Sequence, residues 1–138
     1  MRVVVIDGQS GRMGQLFIER VRGAALSCEL TAVGTNAIAT AAMLKAGAKQ
    51  AATGENPVVV ACRHTDFIIG PIGIVIADSL LGEITPKMAE AVGQSSAVRI
   101  LIPMNKCDNL VAGIGEVTTG ELIADVILKL RRASVKNP

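Results

Sequence analysis

Short apolar runs rich in β-branched residues punctuate the chain at 3–6 (VVVI), 30–33 (LTAV), 67–69 (FII) and 98–102 (VRILI), with a weaker extended run at 50–53 (QAAT). Between them, apolar positions recur at three- and four-residue steps, the spacing of one helix face. Met13, Leu16, Phe17 and Val21 make such a stripe over a first helix at about 12–22. Asn36 caps a second helix, which Gly47 ends. Asn56-Pro57 and Thr85-Pro86 both mark helix starts, since proline at the first helical position gives up a hydrogen bond the helix could not have made. Thr118 and Glu121 have capping-box spacing ahead of the apolar face Leu122, Ile123, Val126, Ile127 and Leu130. Strands alternating with helices predict βαβ units. The expected fold is α/β: one doubly wound, mainly parallel, Rossmann-like sheet of about five or six strands in the order 3-2-1-4-5. The sixth strand would lie at 110–113, and with no linker or repeat the chain reads as one domain over 1–138.

Composition narrows this picture. A chain of 138 residues can remove about two-thirds of its unfolded surface from water, so a self-sufficient core is expected. Half of the residues are apolar and only Phe17 and Phe67 are aromatic, so that core is built from Ala, Val, Ile, Leu and Met. Such a mixture suits a buried parallel sheet under closely packed helices. A net charge of +2 and the absence of Trp and Tyr argue against a nucleic-acid partner. The densest basic stretch, Lys129, Arg131, Arg132 and Lys136, closes the last helix, where cations complement the dipole. Cys28, Cys62 and Cys107 show no CxxC spacing, so reduced thiols are expected, with neither a disulfide framework nor a metal site. No basic and apolar leader precedes the first strand, and Gly70, Pro71, Gly73 and Asp78 break the most apolar stretch. The expectation is a cytoplasmic protein without a membrane span.

The chemistry concentrates where the first strand meets the first helix. In VVVIDGQSGRMGQLFIERV, Gly8, Gly11 and Gly14 form a GxxGxxG pattern in its required context. Gly8 permits a sharp turn, Gly11 lets backbone N–H groups approach an anion, and Gly14 lets the helix pack close to the sheet. A phosphate is expected on the loop Gly8, Gln9, Ser10, Gly11, Arg12, Met13 and Gly14, facing the positive end of the helix dipole. A strand-to-helix turn without a ligand would also use glycines. The strand before and the helix after tip the balance toward binding, and Arg12 adds a little, because a cation in the first turn is otherwise mildly unfavourable, though an ordinary solvated arginine would equally account for it.

This segment resembles the opening of dihydrodipicolinate reductase, whose dinucleotide loop has the same GRMG ending, here Gly11-Arg12-Met13-Gly14. The resemblance spans about 20 residues, within one βαβ unit, and implies nicotinamide-dinucleotide binding. It does not extend to that enzyme's reaction: the chain has one histidine, His64, and no paired-histidine segment. A site for NAD normally carries Asp or Glu about 20 residues past the glycines, at the end of the second strand. Here that place holds Gly34-Thr35-Asn36. Thr35 and Asn36 suit a ribose or the 2′-phosphate of NADP, and equally suit a turn and a helix cap, so NADP is expected ahead of NAD.

Over its whole length the chain resembles an uncharacterised bacterial family of small Rossmann-like proteins, a domain of unknown function. The resemblance rests on IDGQSGRMG at 6–14, VGTNAIATAAMLKAGA at 33–48, GPIGI at 70–74, LGEITPKMAEA at 81–91 and ILIPMNKC at 100–107. It implies the fold and no activity. In a doubly wound sheet Asp7, Thr35, Asn36, Thr53, Gly54, Glu55, Gly70, Pro71, Ile72, Gly73, Pro103, Met104, Asn105 and Lys106 would join the glycine loop at the carboxyl ends of the strands, where such folds bind ligands. The expected site therefore puts phosphates on the loop and the reactive end toward Gly70, Pro71, Gly73, Asn105 and Lys106.

No catalytic residue is assigned. His64 falls near a helix end, Asp78 and Glu83 do not share a helical face at five-residue spacing, and Cys107 beside Lys106 is either a lowered-pKa thiol or a structural one. The first functional expectation is a nucleotide-binding protein taking NADP or NAD. The alternatives are a small oxidoreductase whose active site a second subunit completes, and a nonenzymatic ligand sensor or interaction module. High apolar content with few charges points to a homo-oligomer, although a dense core accounts for it as well.

Overall fold

The computed structural model describes residues 1–103 and 109–136. Strands β1 (Arg2–Asp7), β2 (Glu29–Gly34), β3 (Gln50–Thr53), β4 (Phe67–Pro71) and β5 (Val98–Ile102) form one sheet in the order β3-β2-β1-β4-β5. Every pairing is parallel, with Val4 opposite Thr31 on one side and Ile68 on the other. Helices α1 (Arg12–Gly23), α2 (Ala37–Ala46) and α5 (Thr119–Lys136) cover one face, and α3 (Glu55–Ala61) and α4 (Pro86–Gln94) the other.

The continuous apolar run of β1 is explained by burial on both faces. Val3 and Val5 pack with Phe17, Ile18, Met43 and Ile123, while Val4 and Ile6 pack with Val58, Ile84, Met88 and Val92. Burying each large side chain contributes about 1.5–3 kcal/mol. Local chemistry sets the helix ends. The Asn36 carboxamide oxygen accepts from the Ala39 N–H at 2.8 Å, and Gly47 closes α2 at φ 116°. Thr85 Oγ1 accepts from Met88 at 3.1 Å, just ahead of Pro86. In α5 the box is reciprocal: Thr118 N–H donates to Glu121 at 2.8 Å and Glu121 N–H to Thr118 Oγ1 at 3.2 Å.

Two expectations are corrected. Helix α3 begins at Glu55, capped by Gly54 at φ 111°, rather than at Asn56-Pro57. The Gly54 N–H donates to Gly34 O at 2.9 Å, tying the turn to β2, and Pro57 still falls among the first four positions, whose N–H groups have no partner in the helix. The run at 110–113 is not a strand: among the described residues β5 pairs only with β4, and Leu110 is completely exposed. With no partner strand and no core beneath it, apolar character alone does not extend the sheet. Among the described residues the sheet has five strands, and no helix is long and apolar enough to cross a membrane.

Candidate functional site

Chain direction reverses its sheet order between β1 and β4, so a crevice opens at their carboxyl ends, the usual ligand position in this architecture. The first wall is the glycine turn. Gly11 N–H donates to Gly8 O at 2.9 Å, and both Gln9 (φ 50°) and Gly11 (φ 72°) are left-handed. A Cβ on Gly11 would stand 2.6 Å from Ala39 Cα, so this glycine brings the loop against α2. A Cβ on Gly14 would stand 2.6 Å from Met43 Sδ of α2 and 3.2 Å from Asp7 Cβ of β1, so this glycine lets α1 approach its neighbouring helix even more closely than the sheet.

Asp7 ends β1 beneath this turn, almost completely buried. Its carboxylate accepts from Gly8 N–H and Gly14 N–H, each at 2.8 Å. Burial pushes its pKa up, the Gly14, Gly8 and Met13 amides pull it back, and the nearby Glu83 charge adds to the rise. Asp7 thus engages first-turn amides of α1 that the glycine pattern alone would offer to a phosphate.

The second wall comes from the end of β2. Thr35 N–H donates to Asp7 O at 3.0 Å, and the Asn36 amide donates to Gln9 O at 3.1 Å while its oxygen caps α2. Cap and site residue are here the same side chain.

The third wall is a strap, 76–84, that leaves β4 through a short 3-10 turn (Ile72–Val75) and returns to α4. It crosses the crevice. A Leu80 methyl lies 2.9 Å from where a Cβ on Gly8 would stand, and the other lies 3.8 Å from the equivalent point on Gly73. Beyond it, the Glu83 carboxylate accepts from Gln9 N–H at 3.1 and 3.2 Å, from Thr35 Oγ1 at 2.8 Å and from the Asn36 amide. Burial would raise the Glu83 carboxyl, but the hydrogen bonds from Asn36, Thr35 and Gln9 together hold it below its ordinary value. An ionised carboxylate therefore sits on three converging donors at the mouth of the glycine turn.

The family model described as "Domain of unknown function (DUF3842)" matches residues 2–135. The chain belongs to DUF3842. Among curated proteins no match to it is found. A dodecameric FMN-dependent UbiX-like decarboxylase from Escherichia coli O157:H7 is a similar solved structure, with a TM-score of 0.47 and 16% identity over 96% of this chain and 75% of that one.

In this DUF3842 chain the structure brings Gly8, Gln9, Gly11, Thr35, Asn36, Gly70, Pro71 and Gly73 to one edge. Ser10 and Arg12 are exposed beside them, with Arg12 N–H 3.4 Å from Ser10 Oγ. Met13 and Gly14 point inward, and Met13 belongs to the core. Asn105 and Lys106, with Met104 and Cys107, lie outside the described residues. His64 precedes β4 and so falls at the opposite, amino edge, where it borders a groove of about 570 Å³ between α3 and the sheet. A second groove, about 450 Å³, is lined by Val21, Leu26 and Gly47; neither borders the glycine turn. Sequence reasoning puts Asp7 at this edge and weighs Glu83 only as a partner of Asp78, assigning neither to the site, and it misses Leu80. Asp7 had a local signal, a carboxylate directly before the first glycine, whereas Glu83 is 74 residues from Gln9 and no spacing rule joins them.

Proposed function

We propose that this protein binds a nucleotide, NADP ahead of NAD, at the carboxyl edge of the sheet, with a phosphate group on the donors that Glu83 now engages. The supporting observation is the convergence of Gln9 N–H, the Thr35 hydroxyl and the Asn36 amide on a single anion. Donors that hold a carboxylate in this way suit a phosphate oxygen, and charge-assisted hydrogen bonds of this kind are about twice as strong as neutral ones. Exposed Ser10 and Arg12 stand ready to add a hydroxyl and a cation. The end of β2 is where such folds meet the adenosine ribose, so a cradle of neutral donors with no acid at the carboxyl end of that strand favours a 2′-phosphate.

The test is thermal unfolding with NADP, NAD, ATP and CoA in turn. A nucleotide at 100 times its Kd adds about 2.7 kcal/mol of stability. Unchanged melting with all four refutes the reading.

A second reading, an oxidoreductase completed by another subunit, is favoured by the exposed apolar side chains Leu110, Val111, Ile114 and Val117, which follow β5 near the same edge. It requires a dimer or larger species by light scattering and oxidation of NADPH with a carbonyl substrate; a monomer without turnover excludes it.

A further inference from the structure

We infer that the strap 76–84 is an intramolecular plug, with Leu80 filling the crevice and Glu83 standing in for the ligand's phosphate, so that nucleotide binding requires the strap to withdraw. The inference rests on the nucleotide reading above and adds a conformational device to it.

Occupancy is the first argument. Leu80 sits close to both Gly8 and Gly73, the two sides of the crevice, and Glu83 engages the three donors beyond it. A phosphate and the Glu83 carboxylate cannot share those donors, since two anions at that separation repel and compete for the same hydrogens.

Backbone conformation is the second. Asp78, Leu80 and Leu81 have φ of 65°, 55° and 57°, followed by Gly82 at 87°. L side chains rarely adopt this left-handed region, and three within four residues need compensation from their surroundings. Leu81 supplies none through burial, being 96% exposed. The compensation comes from the latch: the Glu83 contacts, the Ser79 hydroxyl donating to Gly73 O, and Asp78 N–H donating to Ile84 O at 2.7 Å. Remove the latch and the strap keeps turn hydrogen bonds of its own, such as Gly82 N–H to Asp78 O at 3.1 Å, but loses the contacts that tie its strained conformation to the crevice.

Anchoring is the third. Ile74 and Ile84, both fully buried, fasten the strap at its two ends, and Thr85 caps α4 independently of it. Within the strap ahead of Ile84 only Ser79 is buried and Leu80 is half-buried against the core, so withdrawing the segment uncovers those two side chains while the fully buried core and the following helix stay in place.

The experiment measures the Kd of NADP, and separately of NAD, for wild type, Glu83→Ala, Glu83→Gln and Leu81→Gly by titration calorimetry. Apparent affinity falls by the fraction of molecules in the competent state. Glu83→Ala and Glu83→Gln are therefore expected to tighten binding, on the order of tenfold for the alanine variant. Leu81→Gly relieves strain only in the closed strap and is expected to weaken binding about fivefold, although its side chain is exposed. Hydrogen exchange of the Asp78 and Ile84 amides, both bonded in the closed strap, should accelerate when NADP binds wild type. Unchanged or weaker binding by both Glu83 variants, with native melting profiles, overturns the plug and leaves the nucleotide reading standing. Binding to none of the four proteins overturns the nucleotide reading itself, and the plug with it.

Discussion

Replacing Gly11 with alanine separates what the glycine turn does for the fold from what it does for a ligand. Two costs add. At φ 72° an L residue is disfavoured by about 1–2 kcal/mol. The new methyl would also stand 2.6 Å from Ala39 Cα and 2.8 Å from Ala39 O, backbone atoms of α2 that cannot swing aside. Forcing a methyl group into such a contact costs about 1–3 kcal/mol. Reduced freedom of the unfolded chain offsets about 0.4–1 kcal/mol of this. The expected net loss is about 1–5 kcal/mol, in the absence of any ligand. Urea unfolding followed by circular dichroism measures it, as a lower midpoint at an unchanged slope. Gly23 is the internal control: it ends α1 with open space where its Cβ would be, so Gly23→Ala should be neutral or stabilising by up to about 1 kcal/mol. A Gly11→Ala loss below about 1 kcal/mol, or equal effects at the two glycines, would refute the packing argument. If it holds, lost binding in a Gly11 variant is no evidence for a phosphate site, and the exposed Ser10 and Arg12 become the better probes.

Further outcomes follow from the two carboxylates and the shared cap. Asp7→Asn places an N–H donor against one of the Gly8 and Gly14 amides and should cost about 1–3 kcal/mol, measured by urea unfolding across a pH series. Because the folded Asp7 pKa is raised above 3.8, the native state holds its proton more readily than the unfolded state. Wild-type stability from this group therefore falls as pH rises from that value through the raised one, and the variant should lack this slope. Glu83 has the opposite sign: its folded pKa lies below 4.5, so its contribution is present above that value and is lost as pH falls through the lowered one, a loss that Glu83→Gln should abolish. Asn36→Ala should cost about 0.5–2 kcal/mol through the α2 cap and also release the strap, whereas Asn36→Ser keeps a cap but cannot span to both Gln9 and Glu83. Faster exchange of the Ile84 amide in the serine variant, with near-native stability, is the expected signature; equal exchange in both proteins argues against a latch role for Asn36.

Much of the fold is legible in the sequence, because its signals are local. Period and composition identify β1 to β5, Asn36 and Gly47 bound α2, and the Thr118–Glu121 pair opens α5, all through contacts a few residues apart. Handed parallel crossovers then leave the order β3-β2-β1-β4-β5 as the natural one. Where tertiary contact competes with local preference, the reading failed: the tie from Gly54 to β2 starts α3 at Glu55, and the lack of a neighbour leaves 110–113 outside the sheet. The site shows the same division. The glycine turn is legible as a pattern, but its occupants are not. Asp7 turns inward to the first amides of α1 only because the helix packs on β1, and Glu83 reaches Gln9, Thr35 and Asn36 only because β4 lies beside β1 and sends its following strap across the crevice. Spacing along a chain reports neighbours within a turn or a strand, whereas an anion cradle assembled from segments 74 residues apart exists only once the sheet has formed.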